Sequence, residues 1–316
     1  MSLTLDRELF WLAGGVVALL VVASAVGAIL AWRVTGDAGR ATVANLNARV
    51  RAWWVMCAVF ALALLTRGLG SVLLFALLSY LALREFMTLT PTGQGDHRAL
   101  LLVFFLVTPI QYGLILAGWY GMFAIFIPVY AFLLIAAGNA VAGDTGRFLE
   151  RTAIIQWGLT VCVYCVSHAP ALLLLRIRDY AGQNAKLLLF LVIVVQGSDV
   201  LQYVWGKLLG RHPIAPTVSP NKTWEGFVGG VGSATLVGTG LWWATPFAPW
   251  QAALMALAIA LLGFAGGLTM SAIKRDRGVK DFGALIAGHG GVLDRIDSLC
   301  FAAPIFFHLT RFFFGA

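Results

Sequence analysis

Apolar stretches close to twenty residues long recur from one end of the chain to the other. That feature leaves few folds open. A helix rises about 1.5 Å per residue, so about 20 apolar residues cross the roughly 30 Å hydrocarbon core of a bilayer. Within lipid every backbone N–H and C=O must be bonded inside the protein, which leaves helices or closed barrels. Runs this long and continuously apolar are helical. The pattern predicts spans at 9–32, 53–65, 71–83, 100–117, 119–142, 153–175, 187–208, 224–244, 250–270 and 299–314. The short pair 53–65 and 71–83 flanks Arg67 and Gly68 and also reads as one broken helix. The expected fold is all-α: a polytopic helical membrane protein with about nine or ten transmembrane helices. We read one membrane domain overall, with residues 1–186 as an N-terminal transmembrane scaffold and residues 187–316 as the C-terminal catalytic region.

Charge agrees with this. Only 11% of the 316 residues are charged and 60% are hydrophobic, against about 25% charged in a soluble domain. A net charge of +8 would suggest nucleic acid as the partner of a soluble chain. In a membrane protein it reflects basic loops that face the cytoplasm and anionic lipid, so no nucleic-acid partner is expected. With residues 271–298 in the cytoplasm, only Arg7, Arg67, Arg176, Arg178, Lys186 and Arg311 of the 22 Lys and Arg residues fall outside the loops on that side. The cluster Arg176, Arg178 and Lys186 is the exception to the rule, with only Asp179 near it in sequence. Asp6, Arg7 and Glu8 precede the first run, which reads as a first span rather than a cleaved signal. Cys57, Cys162, Cys165 and Cys300 all lie in apolar runs and read as packing residues.

Against this background residues 271–298 stand out, gathering Lys274, Arg275, Arg277, Lys280, Asp281, His289, Asp294, Arg295 and Asp297. Asp294 and Asp297 are three apart and share a helical face. Two carboxylates so placed suit a hard cation such as Mg²⁺, and the basic residues before them suit phosphate. Gly288, Gly290 and Gly291 precede a helix start, where backbone N–H groups attract anions. A second constellation lies within 187–208, where Gln196, Asp199 and Gln202 or Tyr203 make a polar stripe. Asp199 sits roughly 10 Å deep by helical rise, and an intramembrane acid there reads as a metal or phosphate-site carboxylate, with an interhelical ion pair as the alternative. The third is the proline-rich loop 207–226. Ser219, Asn221 or Thr223 can cap the next helix, with Lys222 beside it to meet a phosphate. Gly226 and Gly230 form a helix-packing pair. Two spans separate the second loop from 271–298, so both emerge on one membrane face.

At these residues the chain resembles the phosphatidate cytidylyltransferases (CDP-diacylglycerol synthases). The resemblance rests on Ser271, Ile273, Lys274, Arg275, Lys280, Asp281, His289, Gly290, Gly291, Asp294, Arg295 and Asp297. Residues 218–226 resemble a second block, and Ser198, Asp199, Tyr203, Gly206 and Lys207 a third. Arg84, Glu85 and Phe86 resemble a short motif after an early helix. Two departures are Ala287, where the family has Pro or Gly, and Val200-Leu201-Gln202 after Asp199. The resemblance implies transfer of the cytidylyl group of CTP to phosphatidic acid, giving CDP-diacylglycerol and pyrophosphate. It implies Lys274, Arg275, Lys280, Asp281, His289, Asp294 and Asp297 as catalytic residues. Ser219, Asn221, Lys222, Thr223, Gly290, Gly291 and Arg295 would bind substrate. Asp199, Asp281, Asp294 and Asp297 would hold Mg²⁺, with room for a second cation. A homodimer in the bacterial inner membrane, with its active site facing the cytoplasm, is the implied setting. Two alternatives stay open: a CTP-dependent enzyme acting on another lipid phosphate, and a membrane transporter.

Overall fold

In the computed structural model of the protein, residues 7–66, 68–91, 93–285 and 290–315 are described. Among them, nine helices are long and apolar enough to cross a membrane. They are α1 (Arg7–Arg33), α2 (Asp37–Leu65), α3 (Leu69–Thr88), α4 (His97–Leu116), α5 (Tyr120–Val141), α6 (Phe148–Leu174), α7 (Ala185–Leu209), α9 (Pro249–Asp276) and α10 (Leu293–Phe314). Helix α8 (Trp224–Gly240) is shorter, at 17 residues. A small antiparallel hairpin, β1 (Pro213–Ala215) and β2 (Ser219–Thr223), joins α7 to α8, pairing Pro213 with Thr223 and Ala215 with Ser219. The chain is a polytopic all-α membrane protein.

The short pair of apolar runs is two separate helices. Gly68, with φ +83°, makes the turn between α2 and α3, a left-handed conformation that glycine adopts without steric cost. Several boundaries differ from the apolar runs. Helix α2 begins at Asp37, not near residue 53, and covers most of the basic stretch expected as a loop. The arginines Arg40, Arg49 and Arg51 lower the apolar average there, but no proline and no glycine after Gly39 interrupts the helix. Arginine stems lie well along an apolar surface. Helix α10 likewise starts at Leu293, which puts Asp294 and Asp297 in its first two turns.

Helix α6 lies at the centre, with Ile155, Leu159, Cys162, Val163 and Val166 fully buried. Cys162 and Cys165 are free thiols in a π-helical turn of α6, packed into the apolar interior. Helices α1 and α2 lie at the periphery, and Leu19, Val55 and Leu62 point outward as lipid-facing side chains would. The expected glycine pair packs α8 against α7. A Cβ on Gly226 would meet the Gln202 carbonyl oxygen at 2.8 Å, and one on Gly230 the Gln202 Cα at 2.6 Å. The basic cluster that broke the charge rule is partly compensated: Lys186 is paired with Glu8 at the start of α1.

Candidate active site

Helix α7 ends, α8 begins, α9 ends and α10 begins on one face of the bundle. The hairpin there is fixed by its own polar groups. The Thr223 hydroxyl oxygen accepts from the Gly226 N–H at 3.2 Å and caps α8, as one sequence reading expected. The Glu225 carboxylate accepts from the Arg211 N–H at 3.0 Å, the His212 N–H at 3.3 Å and the His212 ring at 2.5 Å. Arg275, at the end of α9, donates to the Val218 carbonyl at 3.3 Å and to the Val279 carbonyl at 3.0 Å. One guanidinium thus ties the hairpin to the loop that follows α9, and the two polar loops meet.

Asp294 and Asp297 have different surroundings. The Asp294 carboxylate is buried, and three donors converge on it. Lys274 Nζ donates to Oδ1 at 2.8 Å, while the Phe282 and Gly291 N–H groups donate to Oδ2 at 2.8 and 3.0 Å. This carboxylate ties Phe282 and Gly291 to the start of α10. Glu85, on α3, does the same from the other side. Its two oxygens accept from the Val292 and Leu293 N–H groups, each at 2.9 Å. The first donors of α10, where a phosphate was expected, are therefore occupied by protein carboxylates. Gly291 and Gly283 make room for this: a Cβ would lie 2.3 Å from Glu85 Oε2 at the first and 2.7 Å from Oε1 at the second. Gly290, at φ +81°, takes the left-handed turn, and a Cβ there would lie 3.0 Å from Asp294 Oδ2 and 3.2 Å from Asp281 Cβ.

Asp297 faces the other constellation. Its Oδ1 accepts from the Ser298 N–H at 2.8 Å and lies 3.5 Å from the Ser298 hydroxyl. Asp199 on α7 feels both that hydroxyl and the repulsive charge of Asp297, so the two carboxylates face one region. Lys222 reaches them from the hairpin. A Cβ built on Gly267 of α9 would have Lys222 Nζ at 3.1 Å, the Ser298 hydroxyl at 3.3 Å and Asp297 Oδ2 at 3.9 Å. Lys222 Nζ also rests 4.7 Å from the centre of the Phe264 ring. Burial pushes the Lys222 ammonium below its usual range, and Asp199 and Asp297 act against that by holding it charged. Arg295 interacts with both carboxylates, and its buried Nε meets no hydrogen-bond acceptor among the described residues. Gln196 donates to the Arg295 carbonyl at 3.2 Å, joining α7 to α10.

Lys274, Lys222, Asp199, Asp294, Arg295 and Asp297 are thus brought together. Lys280, Asp281 and Asn221 are exposed, and Ser219 is half-buried in β2. His289, with Ala287 and Gly288, lies outside the described residues. Of the departures after Asp199, Gln202 donates to Ser198 at 2.8 Å and packs on Gly230. Leu201 packs against α8 and α9 residues, and Val200 faces outward. The sequence reading gave no role to Ser298 or Phe264, placed Gln196 only in the polar stripe of α7, and noted Glu85 only within a short motif. Ser298 was legible as the helical neighbour of Asp297; Glu85 is 207 residues from the helix it caps.

Among the described residues, no group of three or more His, Cys, Asp or Glu side chains is arranged to hold a metal ion. The pair Asp199 and Asp297 nevertheless fits Mg²⁺, which commonly takes one or two protein carboxylates and completes its shell with waters and substrate phosphates.

The profile of the cytidylyltransferase family matches residues 47–313. The chain is 40% identical over 299 residues to the uncharacterized protein YnbB of Escherichia coli K12, covering 93% of this chain and 96% of that one. It is 41% identical over 139 residues to a phosphatidate cytidylyltransferase of Mycobacterium leprae, covering 43% and 42% of the two chains. A phosphatidate cytidylyltransferase of Synechocystis is 45% identical over 118 residues, 37% and 40% of the two. The chain thus matches less than half the length of these two enzymes.

Proposed function

The chain belongs to the cytidylyltransferase family, and from that premise we propose that it transfers the cytidylyl group of CTP to phosphatidic acid. A phosphate oxygen of the lipid attacks the α-phosphorus of CTP. The bond from that phosphorus to the bridging oxygen of the β-phosphate breaks, and pyrophosphate leaves. The lipid phosphate is already anionic, so the reaction needs alignment and charge neutralisation more than proton transfer. The observation that carries this reading is the juxtaposition of Asp199 and Asp297 with Lys222 and Arg295 at the meeting point of the two polar loops.

In this proposal Asp199 and Asp297 hold Mg²⁺, which when bound would offset charge on the phosphates. Lys222 and Arg295 meet phosphate oxygens; the free Nε of Arg295 is a ready donor. Lys274, held by Asp294, lends its charge to the same region. Lys280 and Asp281, exposed on the loop, face incoming nucleotide from the aqueous side, which we take to be the cytoplasm. The three departures after Asp199 face α8, α9 and lipid, so they leave the lining of the carboxylate pair unchanged. That supports phosphatidic acid over another acceptor.

The test uses the full-length protein in membranes with Mg²⁺, phosphatidic acid and CTP labelled at one phosphate. Label from the α-phosphate should appear in chloroform-soluble lipid. Label entering lipid only from the γ-phosphate would make the protein a kinase instead, and no labelled lipid from either would end the proposal.

A further inference from the structure

A second polar feature lies at the opposite face of the bundle. A cavity of about 770 Å³ opens among the ends of α2, α4, α6 and α10 and the start of α5 and α7. Its walls are largely apolar, with Leu64, Leu114, Leu174 and Phe123 among them, and two arginines line it, Arg176 and Arg311. Arg311 is 17 residues beyond Asp294 on α10, so the cavity lies about 25 Å along the helix axis from the carboxylate site.

Neither arginine has a carboxylate partner among the described residues. Arg176 is exposed and makes no hydrogen bond or ion pair there. The Arg311 guanidinium lies 3.6 Å from the centre of the Tyr120 ring, and Tyr120 is in turn held by its hydroxyl 3.3 Å from His308 Nδ1. Stacking engages the face of the guanidinium and leaves its N–H edge without an acceptor among the described residues. Lys186, the third member of this basic cluster in sequence, is by contrast buried and paired with Glu8. Among the described residues, Lys186 is compensated by a carboxylate and the two arginines beside the cavity, Arg176 and Arg311, are not.

An apolar chamber of this size, within the range of small-molecule sites, with a planar anchored cation at its membrane-interface rim, matches an anionic amphiphile. We propose that it binds an anionic phospholipid of the leaflet opposite the carboxylate site. The phosphodiester would meet Arg176 and Arg311, and acyl chain would fill the apolar walls. A bidentate arginine contact suits a phosphate monoanion, and basic pockets between membrane helices are suited to such head groups. This site is independent of the proposed transferase chemistry, since none of its residues touches the carboxylate pair.

Native mass spectrometry of the full-length protein in detergent tests it, with phosphatidylglycerol and phosphatidylcholine supplied in parallel. The wild type should retain phosphatidylglycerol in preference to phosphatidylcholine. The double variant Arg176→Gln/Arg311→Gln should bind phosphatidylglycerol about tenfold more weakly, as expected when a charge-assisted contact is lost. Arg311→Lys should keep part of the preference. Elution of each variant as a single species checks the fold, and the single variant Arg176→Gln carries the test should the double variant aggregate. Equal retention of both lipids by the wild type, or an unchanged preference in the variants, overturns the proposal. So does displacement of the lipid by inorganic phosphate at millimolar concentration, which would make the site one for a free anion.

Discussion

Asp294 and Asp297 are three residues apart, and their environments separate their roles. Asp294 is 2% exposed and satisfied by a lysine and two backbone N–H groups. Asp297 accepts from the Ser298 N–H and is repelled by a second carboxylate, Asp199. Removing one member of a buried ion pair leaves an unpaired charge, at a cost of about 3–5 kcal/mol. Asp294→Asn should therefore lower the thermal midpoint of the detergent-solubilised protein markedly and reduce turnover with it. Asp297→Asn relieves repulsion with Asp199, so its midpoint should stay at or above wild type while cytidylyl transfer disappears. Mg²⁺ should raise the wild-type midpoint and leave that of Asp297→Asn unmoved. Equal midpoints for the two variants would refute the division of roles. Spacing alone put the two aspartates on one helical face; it did not show that the partner of one is Lys274 and that of the other Asp199, because both partners come from other helices.

At the scale of the element, α10 depends on α3. A helix start leaves N–H groups without intrahelical partners, and here Glu85 satisfies two of them from a distant stretch of chain. Loss of such a cap costs about 0.5–2 kcal/mol. Glu85→Ala should destabilise the protein by roughly that amount and lower kcat more than KM, because the first turns of α10 carry Asp297 and Ser298. Gly291→Ala should have a similar effect, since its Cβ would collide with the Glu85 carboxylate. Wild-type kcat in both variants, measured by labelled-CTP turnover, would exclude this positioning role. Helix identities were largely legible from apolar run length, whereas the start of α2 was hidden by its arginines and the hairpin by its brevity. The Thr223 cap and the Gly226–Gly230 packing face were readable because both act within a few residues or a single helix face. Glu85 was not, since a cap supplied across the bundle leaves no local spacing to read.

Across the whole molecule, two charged regions sit at opposite ends of an apolar bundle. Orientation then becomes measurable. Lys280 and Arg178 are both exposed and lie on opposite faces, while Cys162 and Cys300 are buried. A membrane-impermeant maleimide should label Lys280→Cys only in inverted membrane vesicles and Arg178→Cys only in right-side-out ones. The reverse pattern would place the carboxylate pair outside the cell and remove its access to CTP. The cap that α3 supplies has a further consequence for inheritance. A chimera that joins residues 187–316 to the front half of a distant relative would assemble its terminal helix correctly only if the donor brings an acidic side chain to the same spot. Front and back of this protein are therefore expected to change together or not at all.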